Sequence, residues 1–115
     1  MRIEAVKTML WVRDMDRAVA FYRDVIGLEA RMVTPHWSEL AWRDATIGLH
    51  GGGDASARDS GLSFQVQDLD GAVAEVVAGG GEVVRPAEDR PGEPIRLANL
   101  RDPEGNAFQL SQLVT

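Results

Sequence analysis

The 115-residue sequence predicts an α+β fold built from two tandem β-α-β-β-β modules, and three observations carry that prediction. The chain repeats itself: residues 10–20 (LWVRDMDRAVA) match residues 64–74 (FQVQDLDGAVA) at a constant offset of 54, and the same offset places Gly27 on Gly81. A period near half the chain marks a duplicated module, because a solenoid needs about three repeats or more. Each copy opens with strand-like alternation, Val6, Thr8, Leu10 and Val12 against Lys7, Met9 and Trp11, then Leu62, Phe64 and Val66 against Gly61, Ser63 and Gln65. Each strand then meets an Asp-x-Asp, whose carboxylates suit the free N–H groups of a first helical turn.

The remaining elements follow in order. Met15, Ala18, Val19, Tyr22, Val25 and Ile26 fall at helical spacing, as do Leu69, Val73, Val76 and Val77. Gly27 and the run Gly79-Gly80-Gly81 close these helices, since glycine takes the left-handed cap conformation cheaply. Three shorter strands are expected after each helix: Glu29 to Thr34, Ser38 to Arg43 and Thr46 to His50, then Glu82 to Pro86, Ile95 to Leu100 and Ala107 to Val114. Asp102-Pro103-Glu104-Gly105-Asn106 has the residues of a tight turn. Residues 51–60 read as a linker between module one, about 4–52, and module two, about 61–115, within a single domain. Residues 87–94, with two prolines and three acids, read as a surface loop or a lid over a site.

Composition limits the chemistry. The chain is too short for two independent cores, and no apolar run approaches the ~20 residues of a membrane span. Without cysteine there are no disulfides, no thiolate catalysis and no Cys-based metal site; His36 and His50 are the only histidines. A formal net charge of -6 argues against nucleic acid as a partner. The start of the chain shows no targeting pattern, so a soluble cytoplasmic protein is expected. The expected partners are a small-molecule ligand and a second copy of the chain, with neither nucleic acid nor membrane.

The duplicated unit, with LWVRDMD at 10–16, Ala20-Phe21-Tyr22, Gly27-Leu28 and the turn Asp102-Pro103-Glu104-Gly105-Asn106, resembles the vicinal oxygen chelate superfamily of glyoxalase I, bleomycin-resistance proteins and extradiol dioxygenases. That resemblance implies a curved mixed-sheet cup enclosing a ligand cavity, often completed across a homodimer interface. It also implies one metal ligand on the first strand and one on a later strand of each module. The matching positions here are Lys7, Gly48, Gly61 and Gln109. A protonated lysine repels a cation, two glycines offer no side chain, and one amide oxygen is a weak ligand. The family's metal chemistry is therefore expected to be absent, and no cofactor is expected.

Several residues are candidates for the cup. Lys7 is placed opposite the helix-packing residues, as a counter-ion for an acidic ligand, as a catalytic amine or as a plain solvated lysine. Met9 and Trp11 share its face, and Trp42 is a further aromatic candidate; each indole is equally suited to a core or a dimer contact. Gly48 and Gly61 would leave free volume, and His50 shares the face of Gly48. Ser63, Gln65, Gln109 and Ser111 supply neutral donors and acceptors, and Arg96 is a candidate clamp for a carboxylate or phosphate. The expected function is metal-independent binding of a small aromatic or amphipathic molecule, for drug resistance or sequestration. The alternatives are a metal-free isomerase, lyase or cyclase using Lys7 and His50 as acid-base groups, a metal-dependent glyoxalase-type enzyme, or a partner-binding domain with no cavity.

Overall fold

A computed structural model describes residues 1–114; Thr115, the last residue assigned to module two, lies outside the described residues. The order of elements is β1 (Lys7–Val12), α1 (Met15–Ala20), a π-helical segment (Phe21–Ile26), β2 (Glu29–Met32), β3 (Trp37–Trp42) and β4 (Ala45–Gly51). The second half repeats it with β5 (Arg58–Gln65), α2 (Leu69–Ala78), β6 (Glu82–Asp89), β7 (Ile95–Arg101) and β8 (Asn106–Leu113). Each half forms its own four-stranded mixed sheet, ordered β1-β4-β3-β2 and β5-β8-β7-β6. In both, the first strand runs parallel to the last while the remaining pairs are antiparallel, as a helical crossover after the first strand requires.

The helix starts follow from their acids. Asp14 accepts from the Arg17 N–H at 3.0 Å and Asp68 from the Gly71 N–H at 3.1 Å, each filling one of the orphan donors of a first turn. Gly27 closes the first helical run at φ 94°. At the second, Gly79 remains right-handed and Gly80 takes the left-handed conformation at φ 101°. The single helix expected over 15–26 changes character at Phe21, where the turn widens and the consecutive Phe21 and Tyr22 are both buried.

Two boundaries differ most from the sequence reading. β5 begins at Arg58, inside the stretch read as linker, because Arg58 pairs with Asn106 of β8. β6 continues to Asp89, so most of the expected loop at 87–94 is strand: Glu88 pairs with Leu97 and Asp89 with Arg96. Pro86 is tolerated there because β6 is an edge strand and the proline falls within a register shift, between Arg85 and Glu88.

The core is continuous across both modules. Leu10, Val12, Leu40 and Leu49 from the first sheet join Leu100, Phe108 and Leu110 from the second, with Val19, Tyr22, Leu69 and Val76 from the helical segments. Phe21 meets Phe108 with ring centroids 6.1 Å apart, an edge-on contact across the two halves. Each sheet thus turns one face to a shared core, and its other face points outward.

A second tie between the modules comes from the turn joining β7 to β8. The fully buried Glu104 accepts from the backbone N–H groups of Arg13 at 2.5 Å and Asp14 at 2.9 Å, and from the Arg17 guanidinium, whose Nε lies 2.8 Å away. Tyr22 donates its hydroxyl to Asp102 at 2.6 Å, and Asn106 donates to the Trp11 carbonyl at 2.8 Å. Burial raises the Asp102 pKa, opposed by hydrogen bonds from Tyr22, Asn106 and Glu104. Burial, reinforced by the Asp102 charge, pushes the Tyr22 hydroxyl well above its ordinary value of 10.0.

Candidate functional site

The outward face of the first sheet is fixed by strand register. Lys7, Met9 and Trp11 of β1 stand beside Thr46, Gly48 and His50 of β4, and Gly48 and His50 stand beside Glu39 and Trp37 of β3. Residues aligned across neighbouring strands share a face, so these side chains form one patch opposite Leu10, Val12 and Leu49. The structure therefore gathers Lys7, Met9, Trp11, Gly48 and His50.

Glu39 organises the charged part of the patch. Its Oε1 lies 3.0 Å from the Lys7 ammonium, and its Oε2 accepts the Trp37 indole N–H at 3.0 Å. These two bonds, the indole's first and the lysine's second, hold the Glu39 carboxyl below the usual carboxylate range. The Lys7 ammonium also stands 5.8 Å from the Trp37 ring centroid, within reach of the ring's negative face. The His50 ring lies 4.3 Å from Trp11 and 6.0 Å from Trp37, so imidazole and two indoles form a continuous aromatic surface. His50 Nδ1 is 2.6 Å from the Gly51 carbonyl, which can only accept, so the tautomer that makes this bond carries its proton on Nδ1, and Nε2 has no hydrogen-bond partner among the described residues.

Sequence reasoning missed Glu39 and the role of Trp37. A strand start at Ser38 leaves Trp37 outside the strand; the true start at Trp37 puts positions 37 and 39 on the face of His50 and Gly48. The free volume expected at Gly48 is filled: a Cβ there would fall inside contact distance of the Trp37 ring. Gly48 makes room for an indole of the chain itself.

The outward face of the second sheet is chemically different. Ser63 and Gln65 of β5 stand beside Gln109 and Ser111 of β8, which stand beside Asn99 and Leu97 of β7. Ser63 donates to the Gln109 side-chain oxygen at 2.9 Å. Gly61, at φ 73°, has open space where a side chain would begin, and a hollow of about 280 Å³ lies against Gly61, Ser63, Asn99 and Gln109. Asn99 was not anticipated, and only the β7–β8 register reveals its place.

Two candidates lie away from these outward faces. Arg96 pairs across strands with Gln112, whose side chain accepts from the Leu69 N–H at the start of α2. Its guanidinium faces Asp70 and Asp89 at 3.4 Å each, so it serves the helix-bearing side instead of clamping a ligand in the cup. Trp42 is register-paired with Ala45 and lines a cleft of about 570 Å³ between the modules, where Val25, Ile47 and Phe64 meet the candidates Ser63 and Gln65. It alternates to the side opposite Trp37 and Glu39, and Arg43 stacks on it at 5.3 Å.

The four positions that would carry a metal do not fit one. The Lys7 ammonium is paired with Glu39, Gly48 lies under the Trp37 ring, Gly61 contributes no donor, and the Gln109 oxygen accepts from Ser63. Among the described residues, no group of three or more His, Cys, Asp or Glu side chains is placed to hold an ion. Nor is any helix long and apolar enough to cross a membrane.

Comparison with known proteins agrees with this architecture. The chain is 27% identical over 119 aligned residues to the lactoylglutathione lyase of Haemophilus influenzae, covering 90% of this chain and 87% of that protein. Among solved structures, a glyoxalase/bleomycin resistance protein/dioxygenase family enzyme from Burkholderia phytofirmans superposes with a TM-score of 0.80 at 20% identity, covering 94% of this chain and 97% of that one. A fosfomycin resistance protein from Listeria monocytogenes superposes with a TM-score of 0.77 at 20% identity, covering 97% and 94%. A profile of the Glyoxalase/Bleomycin resistance protein/Dioxygenase superfamily matches residues 5–110, nearly the whole chain, and the protein belongs to that superfamily.

Proposed function

We propose that this protein is a cytoplasmic, metal-independent member of its superfamily that binds a small aromatic or amphipathic molecule, in a role of drug resistance or sequestration. The observation that carries the reading is the patch of Trp11, His50 and Trp37 beside the Lys7–Glu39 pair, occupying the side of the sheet where relatives would place metal ligands. An aromatic wall with a few fixed polar groups is the usual construction of a small-molecule site. The neutral face of Ser63, Gln65, Gln109, Ser111 and Asn99 complements it with donors and acceptors.

Both faces point away from the shared core, and among the described residues no hydrogen bond or ring contact joins them within one chain. The reading therefore includes a homodimer, in which module one of one copy faces module two of the other. The outer edge strands β2 and β6 and the half-exposed Met9 and Trp11 are surfaces that such a partner would cover.

Three measurements test the proposal together. Metal analysis of protein purified without chelator is expected to find no stoichiometric ion, and light scattering is expected to give the dimer mass. A calorimetric screen of aromatic metabolites and glycopeptide-type antibiotics is expected to find a ligand that quenches tryptophan fluorescence. A bound ion at one per chain, or a strictly monomeric protein that binds nothing, overturns the reading.

The free Nε2 of His50 favours one second reading, a metal-free isomerase, lyase or cyclase with His50 as base. In that case His50→Gln lowers turnover of a bound compound far more than it lowers its affinity, because Trp11 and Trp37 still line the site. Equal loss of both, or no turnover by the parent protein, rejects the enzyme.

A further inference from the structure

We infer that Lys7 is the polar anchor of the ligand site, and that the ligand is an aromatic molecule carrying a hydrogen-bond acceptor oxygen, a carboxylate, phenolate or carbonyl, and not an organic cation. This rests on the reading of the module-one face as a ligand site and adds the chemistry it selects.

The argument is one of unsatisfied valence. Both Glu39 carboxylate oxygens are engaged, one by the Lys7 ammonium and one by the Trp37 indole at 3.0 Å each, and the side chain is only 18% exposed, so an incoming group reaches its remaining lone pairs less readily than it reaches the ammonium. The Lys7 side chain is 38% exposed, and its ammonium has three donors with one acceptor among the described residues. The more open member of the pair is therefore the donor, and an incoming group that meets it must accept. A cation is disfavoured twice, because the ammonium repels it and the Trp37 ring and Glu39 carboxylate it would seek are already held by Lys7.

The Lys7–Glu39–Trp37 assembly is also interlocked. The indole is wedged over Gly48 and fixes the carboxylate, and the carboxylate fixes the ammonium. Trp37 stands between the lysine and the rest of the aromatic surface, 5.8 Å from the ammonium and 6.0 Å from the His50 ring, so a ring lying against Trp37 and His50 directs its substituent toward the lysine. Lys7 occupies the position of a family metal ligand, and it supplies a positive charge of the chain's own there.

Because Lys7 is the only lysine, protein grown with lysine labelled at 13Cε gives a single side-chain resonance that reports this group alone. The probes are 2-naphthoate, 2-naphthamide and 2-(aminomethyl)naphthalene, identical in ring and different in the group presented. Tryptophan quenching reads ring binding, and the lysine resonance reads the anchor. The expected result is that naphthoate and naphthamide both bind and shift the Lys7 signal, and that the ammonium probe binds about tenfold more weakly. Lys7→Met should bring naphthoate down to the level of the ammonium probe, and Lys7→Arg should recover most of the difference; a thermal melt of each variant checks that the fold is kept. Quenching without movement of the lysine resonance, or an ammonium probe that binds as tightly as naphthoate, overturns the inference and leaves the binding site standing. If no probe quenches tryptophan up to its solubility, the ligand-site reading fails and the inference fails with it.

Discussion

The two modules share a template and divide the work. Both have a first strand parallel to the last, an aspartate-capped helix and a three-stranded antiparallel remainder. Their corresponding hairpin turns differ most. Between β3 and β4 the chain turns through Arg43 and Asp44, both exposed, whereas between β7 and β8 it turns through Asp102, Pro103, Glu104 and Gly105, burying two carboxylates. Those carboxylates reach back to Arg13, Asp14, Arg17 and Tyr22 of module one. The outward faces differ in the opposite sense: module one carries indoles, imidazole and an ion pair, and module two carries hydroxyls and amides. Duplication kept the strand order and freed each copy to specialise, one turn for holding the halves together and one face for charged and aromatic chemistry.

The sharpest way to break this comparison is at the turns. Glu104→Ala removes the acceptor of two backbone N–H groups and of Arg17, and leaves them facing a void. A loss of about 3 kcal/mol is expected, below the usual cost of splitting a fully buried ion pair because the Arg17 side chain can reach water. Thermal denaturation should show a fall of roughly 10 °C. Asp44→Ala at the corresponding turn should stay within about 0.5 kcal/mol of the parent. Equal effects at the two turns would mean that the inter-module tie lies elsewhere.

Tyr22→Phe tests the same tie from the other side. Asp102 would lose a donor but keep its bonds from Glu104 and Asn106, so a loss of about 1–2 kcal/mol is expected by chemical denaturation at neutral pH. The pH dependence has a definite sign. The folded-state pKa of Tyr22 lies above the ordinary 10.0, so the folded state favours the neutral phenol. That contribution is fully present below pH 10.0 and is lost as pH rises through the raised value. The parent protein should therefore lose stability more steeply than Tyr22→Phe above about pH 10.

How far the sequence discloses these differences depends on the kind of signal. The repeat, the caps and the alternation of Lys7, Met9 and Trp11 against Leu10 and Val12 are local patterns, and each is found where the periodicity puts it. Glu39, Trp37 and Asn99 depend on the exact start and register of later strands, and one residue of uncertainty moves a side chain to the other face. Trp42 and Arg96 show the same weakness, since their residue types suit a ligand site while their strand parity sends them to the helix side. The Asp102 and Glu104 carboxylates read as turn residues locally; their burial comes from contacts some 80 to 91 positions away, which no local pattern contains.

A smaller effect separates the two outward faces. Gly48→Ala would push the Trp37 ring aside and break its bond to Glu39, at a cost of about 1 kcal/mol, with a red-shifted tryptophan emission as the direct sign. At the corresponding place in module two, Gln109→Ala only leaves Ser63 without a partner on an accessible face, and a change under about 0.5 kcal/mol is expected. Emission unchanged in Gly48→Ala would show that the indole does not need the glycine, and the distinction between an interlocked and an open face would collapse.

The smallest expected effect concerns the segment between the modules. Asp54 accepts from the Ser56 hydroxyl and N–H and from Arg58, the first residue of β5, and these bonds lower its pKa from 3.8 to about 2. A carboxyl held lower in the folded state contributes stability above the unfolded value of 3.8, and loses it as pH falls toward 2. Asp54 is largely exposed, so solvent screens much of the pair. Denaturation of the parent and of Asp54→Asn across pH 2 to 6 should give a small difference, constant above about pH 5 and vanishing toward pH 2. A difference that ignores pH would make the aspartate a shape-bearing turn residue. One that vanishes on acidification would make the linker a charged splint that sets where β5 begins, and so fixes the register that separates Ser63 and Gln65 from the core.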